Sequence, residues 1–480
     1  MSKGDIVATK VVLLSCFSGI TLLGGCAAVQ PRSSFPEVAQ GVIDATGYRV
    51  HWNSGGADDE AAASQVRTLL SKPLDADAAV QIALLNNRSL QAVYEDLGIA
   101  QAELVGAGLL HNPVFDASVR FPEGGSDSPN LDLGVAFEFL DVFFIPLRKR
   151  IAEGRLELAK ANVSGAVLDL AAETKANFYA LQAAEQNVEM RQQVERATAA
   201  SYDLAQRLRA AGNNRPLDLA NERALHEESR LALASAELAA TELREQMNRL
   251  MGLWGSGTGW MTAGRLPEPT GDEVAGDGLE RQAIQTSIDL RASRAELGLS
   301  LRTLGITQPL GYLSELEVGA IGERDDGEWE VGPAIALPIP IFSQGQPAVA
   351  RAQAEIRQAQ QRYYATAVEV RSAVREAYAR VRSLRQQADH YRSVLLPLRQ
   401  QIVDETQLQY NAMQIGAFQL LQAKRDQIET GGAYLALLGD YWTAKAQLQL
   451  ILSGRLTQVA PSNRASTAAM PVGGSSSGGH

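Results

Sequence analysis

One stretch of this sequence occurs twice. Residues 89–98 read SLQAVYEDLG and residues 289–298 read DLRASRAELG, so the two copies align without a gap. Four positions are identical in both copies: Leu90 and Leu290, Ala92 and Ala292, Leu97 and Leu297, Gly98 and Gly298. The repeats of solenoid proteins are only about 20–50 residues long. Two copies 200 residues apart therefore indicate a duplicated structural unit of much larger size.

The same order of predicted elements accompanies each copy: a helix, two strands with alternating apolar residues, a long helix, a turn and a returning helix. We therefore predict a first repeat over residues 74–252 and a second repeat over residues 282–454. Residues 253–281 are expected to link the two repeats, and residues 26–73 to form an N-terminal segment. The tail, residues 455–480, ends in a stretch rich in Ser, Ala and Gly and is predicted to be largely disordered.

The composition favours long helices over ordinary globular domains. Only 6% of the 480 residues are aromatic, and the helical stretches are rich in Ala, Gln, Glu, Leu and Arg. Such a balance suits long helices that pack closely together. The formal net charge is −11, which argues against nucleic acid as a partner, because binding to phosphates requires a basic surface.

The N-terminus, residues 1–25, has the pattern of a signal peptide. Lys3 and Lys10 give it a basic start, and residues 11–23 form a mostly apolar run that is too short to span a bilayer. The run ends in LGGC, residues 23–26, which resembles the bacterial lipobox. The resemblance implies that Cys26 is lipidated and becomes the new N-terminus; alternatively, Cys26 is only a small residue that ends the signal. A mature chain with this one cysteine cannot form an internal disulfide.

Four short segments alternate between apolar and polar residues: residues 114–121, 131–140, 312–321 and 329–339. Half-buried strands of a soluble sheet show the same alternation. Membrane strands are favoured because the segments have about the 9–11 residues that a tilted transmembrane strand needs. Their connections, 123–130 and 322–327, are also polar, and the polar faces carry full charges. Pro333 and Pro338 predict a fourth strand that is irregular or ends near Pro338.

Four strands cannot close a membrane barrel, and an open sheet edge in lipid leaves backbone groups without partners. The smallest closed barrels have about eight strands. Two chains would supply eight strands, and three chains would supply twelve. A barrel of about eight strands is filled by its own side chains, whereas a larger barrel leaves a passage, so we predict a homotrimer. Val135 and Phe137 are expected to face the lipid of the outer membrane.

The helical segments are too long for a globular domain. In residues 346–410, apolar or small residues recur at alternating steps of three and four, which is the seam of a coiled coil with one stutter. This helix would be on the order of 100 Å long, with a kink at Pro397. The first repeat has an equivalent helix over residues 147–209. The long helices are predicted to turn at 211–216 and 412–418, and shorter helices to return over 217–251 and 419–452.

The predicted turns contain Gly212 and Gly416, which are expected to adopt the left-handed conformation that ends many helices. The lipobox-like signal, the duplicated unit and these glycine-bearing tips together resemble the outer-membrane efflux family, the TolC-like ducts, and its lipidated branch in particular. The resemblance covers roughly residues 74–454 and rests on architecture more than on any short motif. It implies an α+β membrane protein: three chains form a twelve-stranded β-barrel that continues as a long coiled-coil α-helical barrel into the periplasm.

The resemblance also implies two sets of functional residues. Residues at the tips would dock a periplasmic adaptor: Gly212, Leu217, Asp218, Gly416 and Leu420. Charged and tyrosine side chains near the tips would form a gate: Asp203, Arg207, Arg209, Asp404 and Tyr410. Helix termination alone at the tips, and ordinary exposed helix charges, are the competing explanations. The linker 253–281 would form a belt around the tunnel.

The sequence shows no arrangement of catalytic or metal-binding residues. The five histidines are scattered without ligand spacing, so no enzymatic activity, cofactor or metal site is predicted. The predicted function is passive conduction from an inner-membrane pump and a periplasmic adaptor to the outside. A lipidated adaptor or coiled-coil scaffold is the alternative, but adaptors have one hairpin, whereas this chain has two hairpins and four lipid-compatible strands. The substrate stays open; the likeness to the lipidated branch favours metal ions or small toxic molecules.

Overall fold

The computed structural model describes residues 29–121, 129–138, 141–213, 215–269, 276, 278–310, 316–325, 328–336, 341–342 and 345–456. The predicted signal peptide, Cys26 and the tail beyond residue 456 lie outside the described residues. So do Pro338 and the predicted strand ends at 139–140, 312–315 and 337–339. Among the helices that are described, none has both the length and the apolarity needed to cross a membrane.

The elements follow the predicted duplicated order. Among the described residues, four helices precede the first strands: α1 (Phe35–Thr46), α2 (Ala57–Leu70), α3 (Ala76–Asn86) and α4 (Arg88–Ala107). The first repeat continues with β1 (Val114–Arg120), β2 (Asn130–Phe137), α5 (Asp141–Ala210) and α6 (Pro216–Leu250). The second repeat begins with α7 (Leu279–Thr286), α8 (Ile288–Leu310), β3 (Glu317–Asp325) and β4 (Glu328–Ala336). It ends with α9 (Gln346–His390), a π-helical turn (Tyr391–Leu395), α10 (Leu396–Asn411) and α11 (Ala417–Leu452).

The duplicated stretch of sequence begins each repeat in the same way. The Asn87 side chain accepts a hydrogen bond from the Leu90 backbone N–H at 2.9 Å. At the corresponding position, the Ser287 hydroxyl oxygen accepts one from the Leu290 N–H at 3.0 Å. Each side chain therefore caps the helix that carries the duplicated sequence, α4 in the first repeat and α8 in the second.

Each returning helix ends in a glycine that packs against the start of its own repeat. Gly252 follows α6 with φ of 65°, and Gly454 follows α11 with φ of 104°. A side chain at these positions would collide with the carbonyl oxygen of Asn86 or Thr286, at the ends of α3 and α7. Glycine is thus required by the backbone conformation and by the close approach of another backbone. Both repeats therefore end in the same kind of contact, a glycine against the backbone of the helix that begins the repeat.

The four strands form one antiparallel sheet in the order β1-β2-β3-β4. Residues opposite each other in neighbouring strands project to the same face of a sheet. Phe115 pairs with Val135, and Val135 pairs with Ala320, so apolar residues of both repeats share one face. The large exposed side chains on this face are Phe115, Val119, Val135, Phe137, Trp329, Val331 and Ile335. The predicted division into an apolar and a polar face is confirmed by this register.

The strand boundaries differ from the predicted ones, most of all in the second repeat. β3 extends to Asp325 and β4 begins at Glu328, so residues 322–325 belong to the sheet and not to a loop. There Glu323 pairs with Glu330 and Arg324 pairs with Trp329. The run of charges predicted a loop, but charged side chains can alternate between the two faces while the backbone keeps its ladder hydrogen bonds. β1 and β2 end at Arg120 and Phe137, earlier than predicted.

The proline inside the fourth strand does not interrupt it. Pro333 lies opposite Ala320 within the regular ladder of β3 and β4. β4 is an edge strand of the sheet that one chain forms, and an edge strand tolerates a proline. The irregularity predicted at Pro333 is therefore not observed.

The long helices exceed the predicted lengths. α5 has 70 residues and begins at Asp141, before the predicted start at 147, so that Pro146 lies inside the helix near its N-terminus. At a rise of about 1.5 Å per residue, α5 is about 105 Å long. In the second repeat the irregularity lies before Pro397 and not at it: the Leu396 N–H bonds to the Tyr391 carbonyl across the π-helical turn. This wider turn accommodates the proline ring, which has no N–H to donate.

The N-terminal segment and the linker pack on the repeats. Trp52 is 4% exposed and donates from Nε1 to the Glu95 carboxylate of α4 at 2.9 Å. In the linker, the Trp260 indole donates to Asn248 of α6 at 2.8 Å. The Trp442 indole of α11 donates to the Pro267 carbonyl at 2.7 Å. The linker therefore contacts the returning helices of both repeats.

The ordered part of the second repeat extends beyond its predicted end at residue 454. The Arg455 guanidinium forms an ion pair with Asp169 of α5 at 2.8 Å and a second ion pair with Asp289 of α8. Two carboxylates that bind one guanidinium fix its position. Arg455, which the sequence assigned to the disordered tail, therefore joins the two repeats.

Candidate functional site at the hairpin tips and the sheet

The first tip, residues 211–215 between α5 and α6, ends the long helix with a left-handed glycine. Gly212 has φ of 78°. The Asn213 N–H donates to the Leu208 carbonyl at 2.9 Å, and the Gly212 N–H donates to the Arg209 carbonyl at 3.0 Å. These two bonds form a Schellman motif, in which glycine is favoured at the left-handed position. The prediction for Gly212 is confirmed.

The second tip, residues 412–416 between α10 and α11, forms the same motif with a different residue. The Gln414 N–H donates to the Gln409 carbonyl at 3.0 Å, and the Met413 N–H donates to the Tyr410 carbonyl at 2.9 Å. Met413 has φ of 56° and occupies the left-handed position, where a side chain costs about 1–2 kcal/mol. Gly416 has φ of −82° and is the N-cap of α11. The predicted left-handed conformation of Gly416 is therefore wrong.

The predicted docking residues are not equally exposed at the two tips. Leu217, in the first turn of α6, is 65% exposed and available to a partner. Asp218 forms an ion pair with Arg215, with Oδ2 at 3.0 Å from Nε. Leu420, near the start of α11, is only 8% exposed and is not available to a partner. The assignment of Leu420 to the docking surface is therefore corrected.

The surroundings of the first tip favour its ion pair. The hydrogen bond and the charge of Asp218 raise the pKa of the Arg215 guanidinium. Asp218 also lies in the first turn of α6, where the helix dipole favours a negative charge. Both interactions favour the ion pair.

The five predicted gate residues fall into two separate groups. Asp203 and Arg207 form an ion pair at 2.8 Å along α5, with side chains 58% and 77% exposed. Arg209 lies in the last turn of α5, and Asp404 and Tyr410 lie in α10. Within the described part of the chain, no hydrogen bond or ion pair joins Asp203 or Arg207 to Asp404 or Tyr410. One chain by itself does not bring the two groups together.

Two ion pairs that sequence patterns do not reveal connect the helices near the tips. Arg399 of α10 contacts Asp426 of α11 at 3.0 Å. Arg425 of α11 contacts Glu228 of α6 at 2.5 Å and joins the second hairpin to the first. The residues of this pair are 197 positions apart, and local spacing carries no signal for such a contact.

The face of the sheet opposite the apolar one is charged. Arg120 lies between two carboxylates, with Asp132 at 3.0 Å and Glu323 at 2.9 Å. Other acidic residues in register on this face are Asp116, Glu317, Glu328 and Glu330. A sheet with one apolar and one charged face is suited to lipid on one side and water on the other.

Long helical hairpins that end in narrow tips, joined to a sheet of this kind, define a class of protein: an outer-membrane channel with a helical extension. The family described as Outer membrane efflux protein matches residues 79–255 and 279–454, which overlap the two predicted repeats. The chain belongs to this family. Its family and fold are those of transport proteins and not of enzymes.

Similar proteins agree with this assignment. The cobalt-zinc-cadmium resistance protein CzcC of Cupriavidus metallidurans is 24% identical over 388 residues, which are 79% of this chain and 90% of CzcC. The outer membrane channel CmeC of Campylobacter jejuni has a TM-score of 0.67 at 15% identity, over 80% of this chain and 87% of CmeC. The open state of the MtrE outer membrane channel of Neisseria gonorrhoeae has a TM-score of 0.63 at 20% identity, over 79% and 89% of the chains. The predicted fold class and efflux-channel function are confirmed.

Proposed function

We propose that three copies of this chain close one channel, with twelve strands in a β-barrel and a tunnel of long helices below it. The observation that carries this proposal is the four-stranded sheet with its exposed apolar face. Within the described residues of one chain, the outer edges of β1 and β4 have no partner strand. Unpaired edges are very costly in lipid, so β1 of one copy pairs with β4 of the next. Three copies leave a passage, which a barrel of about eight strands does not.

The channel conducts passively and receives its substrate from an inner-membrane pump through a periplasmic adaptor. The length of α5 supports this arrangement, because a helix of about 105 Å places the tips far from the sheet. The exposed Leu217 and the paired Asp218 of the first tip, and Gly416 of the second tip, form the docking surface. Gly212 permits the tight turn that presents it.

The gate lies where the hairpins approach each other near the tips. The Arg399–Asp426 and Arg425–Glu228 ion pairs hold the helices of one chain in one arrangement. The five gate residues Asp203, Arg207, Arg209, Asp404 and Tyr410 are all exposed in the single chain. In the trimer their exposed side chains meet residues of neighbouring copies.

The proposed substrates are divalent metal cations. The similarity to a protein named for cobalt, zinc and cadmium resistance supports this choice. The charged face of the sheet supports it as well, because a water-filled passage lined by carboxylates concentrates cations. Three copies would multiply these carboxylates around one lumen.

Lipidation of Cys26 would anchor the N-terminus of each copy in the outer membrane. Eight residues separate Cys26 from the first helix that the structure describes, which begins at Phe35. The Trp52–Glu95 hydrogen bond fixes the following segment to α4. A Cys26→Ser variant is therefore expected to lose its lipid in mass spectrometry and to keep its inserted barrel.

Assembly is tested on the full chain purified in detergent. We expect a trimer that changes its electrophoretic migration on heating and forms pores in planar lipid bilayers. A stable single subunit without pore activity would overturn the proposed channel. The scaffold alternative predicts that Cys26→Ser protein is recovered from the soluble periplasm.

Docking at the tips is tested by Asp218→Arg and Gly416→Trp in a host strain that lacks its own copy of the gene. Both variants are expected to lower growth at inhibitory zinc, cobalt or cadmium concentrations while protein abundance stays normal. The matched control is Glu60→Arg, a charge reversal in an exposed ion pair of α2. Growth equal to that of the control would contradict the docking role.

A further inference from the structure

The second tip carries an apolar side chain at a position where the backbone favours glycine. Among the described residues, Met413 is the one non-glycine residue with a positive φ. The first tip forms the same pair of capping hydrogen bonds with Gly212 at the corresponding position. The chain thus has glycine at one of its two tips for the same left-handed conformation. The turn does not require the methionine side chain.

The Met413 side chain does not stabilise its own chain either. The residue is 93% exposed, so packing within the chain does not offset its unfavourable backbone conformation. Residues that are held in rarely populated backbone regions cluster at functional sites and ligand clamps. Methionine is unbranched and polarizable, and it is frequent on surfaces that adapt to a partner. These properties point to a contact outside the chain.

The surroundings of Met413 indicate the chemistry of that contact. Residues 412–423 read AMQIGAFQLLQA and contain no charged side chain. The first tip, in contrast, presents the Arg215–Asp218 ion pair beside Leu217. Among the described side chains of residues 412–423, Met413 is the large apolar one that is almost fully exposed, whereas Leu420 is buried. An exposed apolar side chain without charged neighbours is complementary to an apolar groove, whereas an ion pair is complementary to a polar surface.

We infer that Met413 is an apolar anchor that inserts into a groove between helices of the periplasmic adaptor. This inference rests on the proposed docking of the tips and makes it more specific. The two tips of one chain are then unequal docking sites: the second is apolar at Met413, and the first has the Arg215–Asp218 ion pair beside the exposed Leu217. Met413 acts in the contact itself, and its left-handed conformation directs the side chain away from the hairpin.

The test uses the full chain in cells of its host, with a photo-reactive amino acid in place of Ile415 as reporter. Light should cross-link this position to the adaptor, which mass spectrometry identifies. Met413→Gly and Met413→Gln are each expected to reduce this capture by about tenfold, since burial of one apolar side chain is worth at least an order of magnitude in affinity. Met413→Leu should retain most of the capture, because it remains apolar.

The stability of the purified trimers separates loss of contact from loss of fold. Met413→Gly relieves the backbone, so its thermal midpoint should equal or exceed that of the unchanged chain. Met413→Gln keeps the unfavourable backbone and a similar size, and only the polarity changes. A reporter in place of Arg351, which is 82% exposed on α9, is the matched control and should capture no adaptor.

The outcomes distinguish the anchor from the docking itself. Normal capture by Met413→Gly and Met413→Gln, together with lost capture by Gly416→Trp, would overturn the anchor and leave docking intact. Equal losses for Met413→Leu and Met413→Gln would also overturn it, because apolar character would then not matter. Reporters at Ile415 and Leu217 that capture no adaptor in the otherwise unchanged chain would overturn both.

Discussion

At the residue scale, two glycines with the same backbone conformation have different surroundings. Gly252 and Gly264 have φ of 65° and 67°. A Cβ atom at Gly252 would lie 2.6 Å from the Asn86 carbonyl oxygen, whereas one at Gly264 would meet no atom within 4 Å. Gly252 is therefore needed for the closure of the first repeat, and Gly264 only for the shape of the linker.

This difference predicts unequal effects of alanine. Gly264→Ala should cost about 1–2 kcal/mol, the penalty of a side chain in the left-handed region. Gly252→Ala should cost more, because the collision with Asn86 adds to the same penalty. Thermal unfolding of the two purified variants measures the difference. Equal shifts in Tm would show that the close approach of Gly252 to Asn86 adds nothing to the loss of stability.

The alternation of side chains between the two faces of β2 gives a second prediction at the residue scale. Val135 projects to the apolar face of β2, and the adjacent Ala136 projects to the charged face. Val135→Arg should impair assembly, because a cation on the lipid side at mid-depth costs about 2–4 kcal/mol. Ala136→Arg is the matched control and should leave the trimer yield nearly unchanged. A normal yield of heat-modifiable trimer for Val135→Arg would refute the assignment of the lipid-facing side.

At the element scale, the two hairpins are held together near the tips by a contact between repeats. Arg425 and Glu228 connect α11 to α6, whereas most other ion pairs near the tips lie within one hairpin. The π-helical turn at Tyr391–Leu395 interrupts the long helix of the second repeat, and the equivalent α5 is continuous. The second hairpin is therefore the one with a built-in irregularity between its tip and the sheet.

The connection between the hairpins predicts a change in gating. Glu228→Gln and Arg425→Gln each remove one partner of the Arg425–Glu228 pair and should increase the conductance of single channels in planar bilayers. The matched control is Arg230→Gln, which removes a pair with Glu227 on the same helix. Conductances that agree with the control would exclude this ion pair from the gate.

At the scale of the whole molecule, the orientation of the sheet determines what lines the passage. In the proposed trimer the apolar face meets lipid, and the face with Arg120 and its surrounding carboxylates meets water. Glu323 and Glu330 lie directly opposite each other on this face. Like charges in such a pair repel each other, so their presence is unfavourable for the sheet alone.

The carboxylates on the charged face of the sheet predict that the channel conducts cations in preference to anions. The double change Glu323→Gln and Glu330→Gln should weaken this preference without harming assembly. It removes the repulsion between the two carboxylates, and Arg120 keeps its ion pair with Asp132 when it loses the one with Glu323. Reversal potentials in a potassium chloride gradient measure the effect. Arg324→Gln, on the other face of β3, is the control and should leave the reversal potential unchanged. A reversal potential that the double variant does not alter would contradict the proposed lining.

The duplicated order of helices and strands was readable from the sequence because periodicity is a local property. Alternation with a period of two follows from the geometry of a strand, and the heptad seam follows from that of a helix. The alternation in their two segments therefore assigns Phe115 and Val135 to the apolar faces of their strands before any contact between them is known. The tip glycines were also visible, and Gly212 has the predicted conformation.

The tertiary structure alone decided which residues meet across the repeats and where the elements end. The contacts of Arg425 with Glu228 and of Arg455 with Asp169 join positions that no sequence period relates. Residues 322–325, three of which are charged, belong to a strand because the ladder satisfies their backbone groups. Met413 has the left-handed conformation expected for a glycine because the capping hydrogen bonds form before Gly416. The energies of pairing between distant segments determine these contacts and element ends, and the local sequence does not reveal those energies.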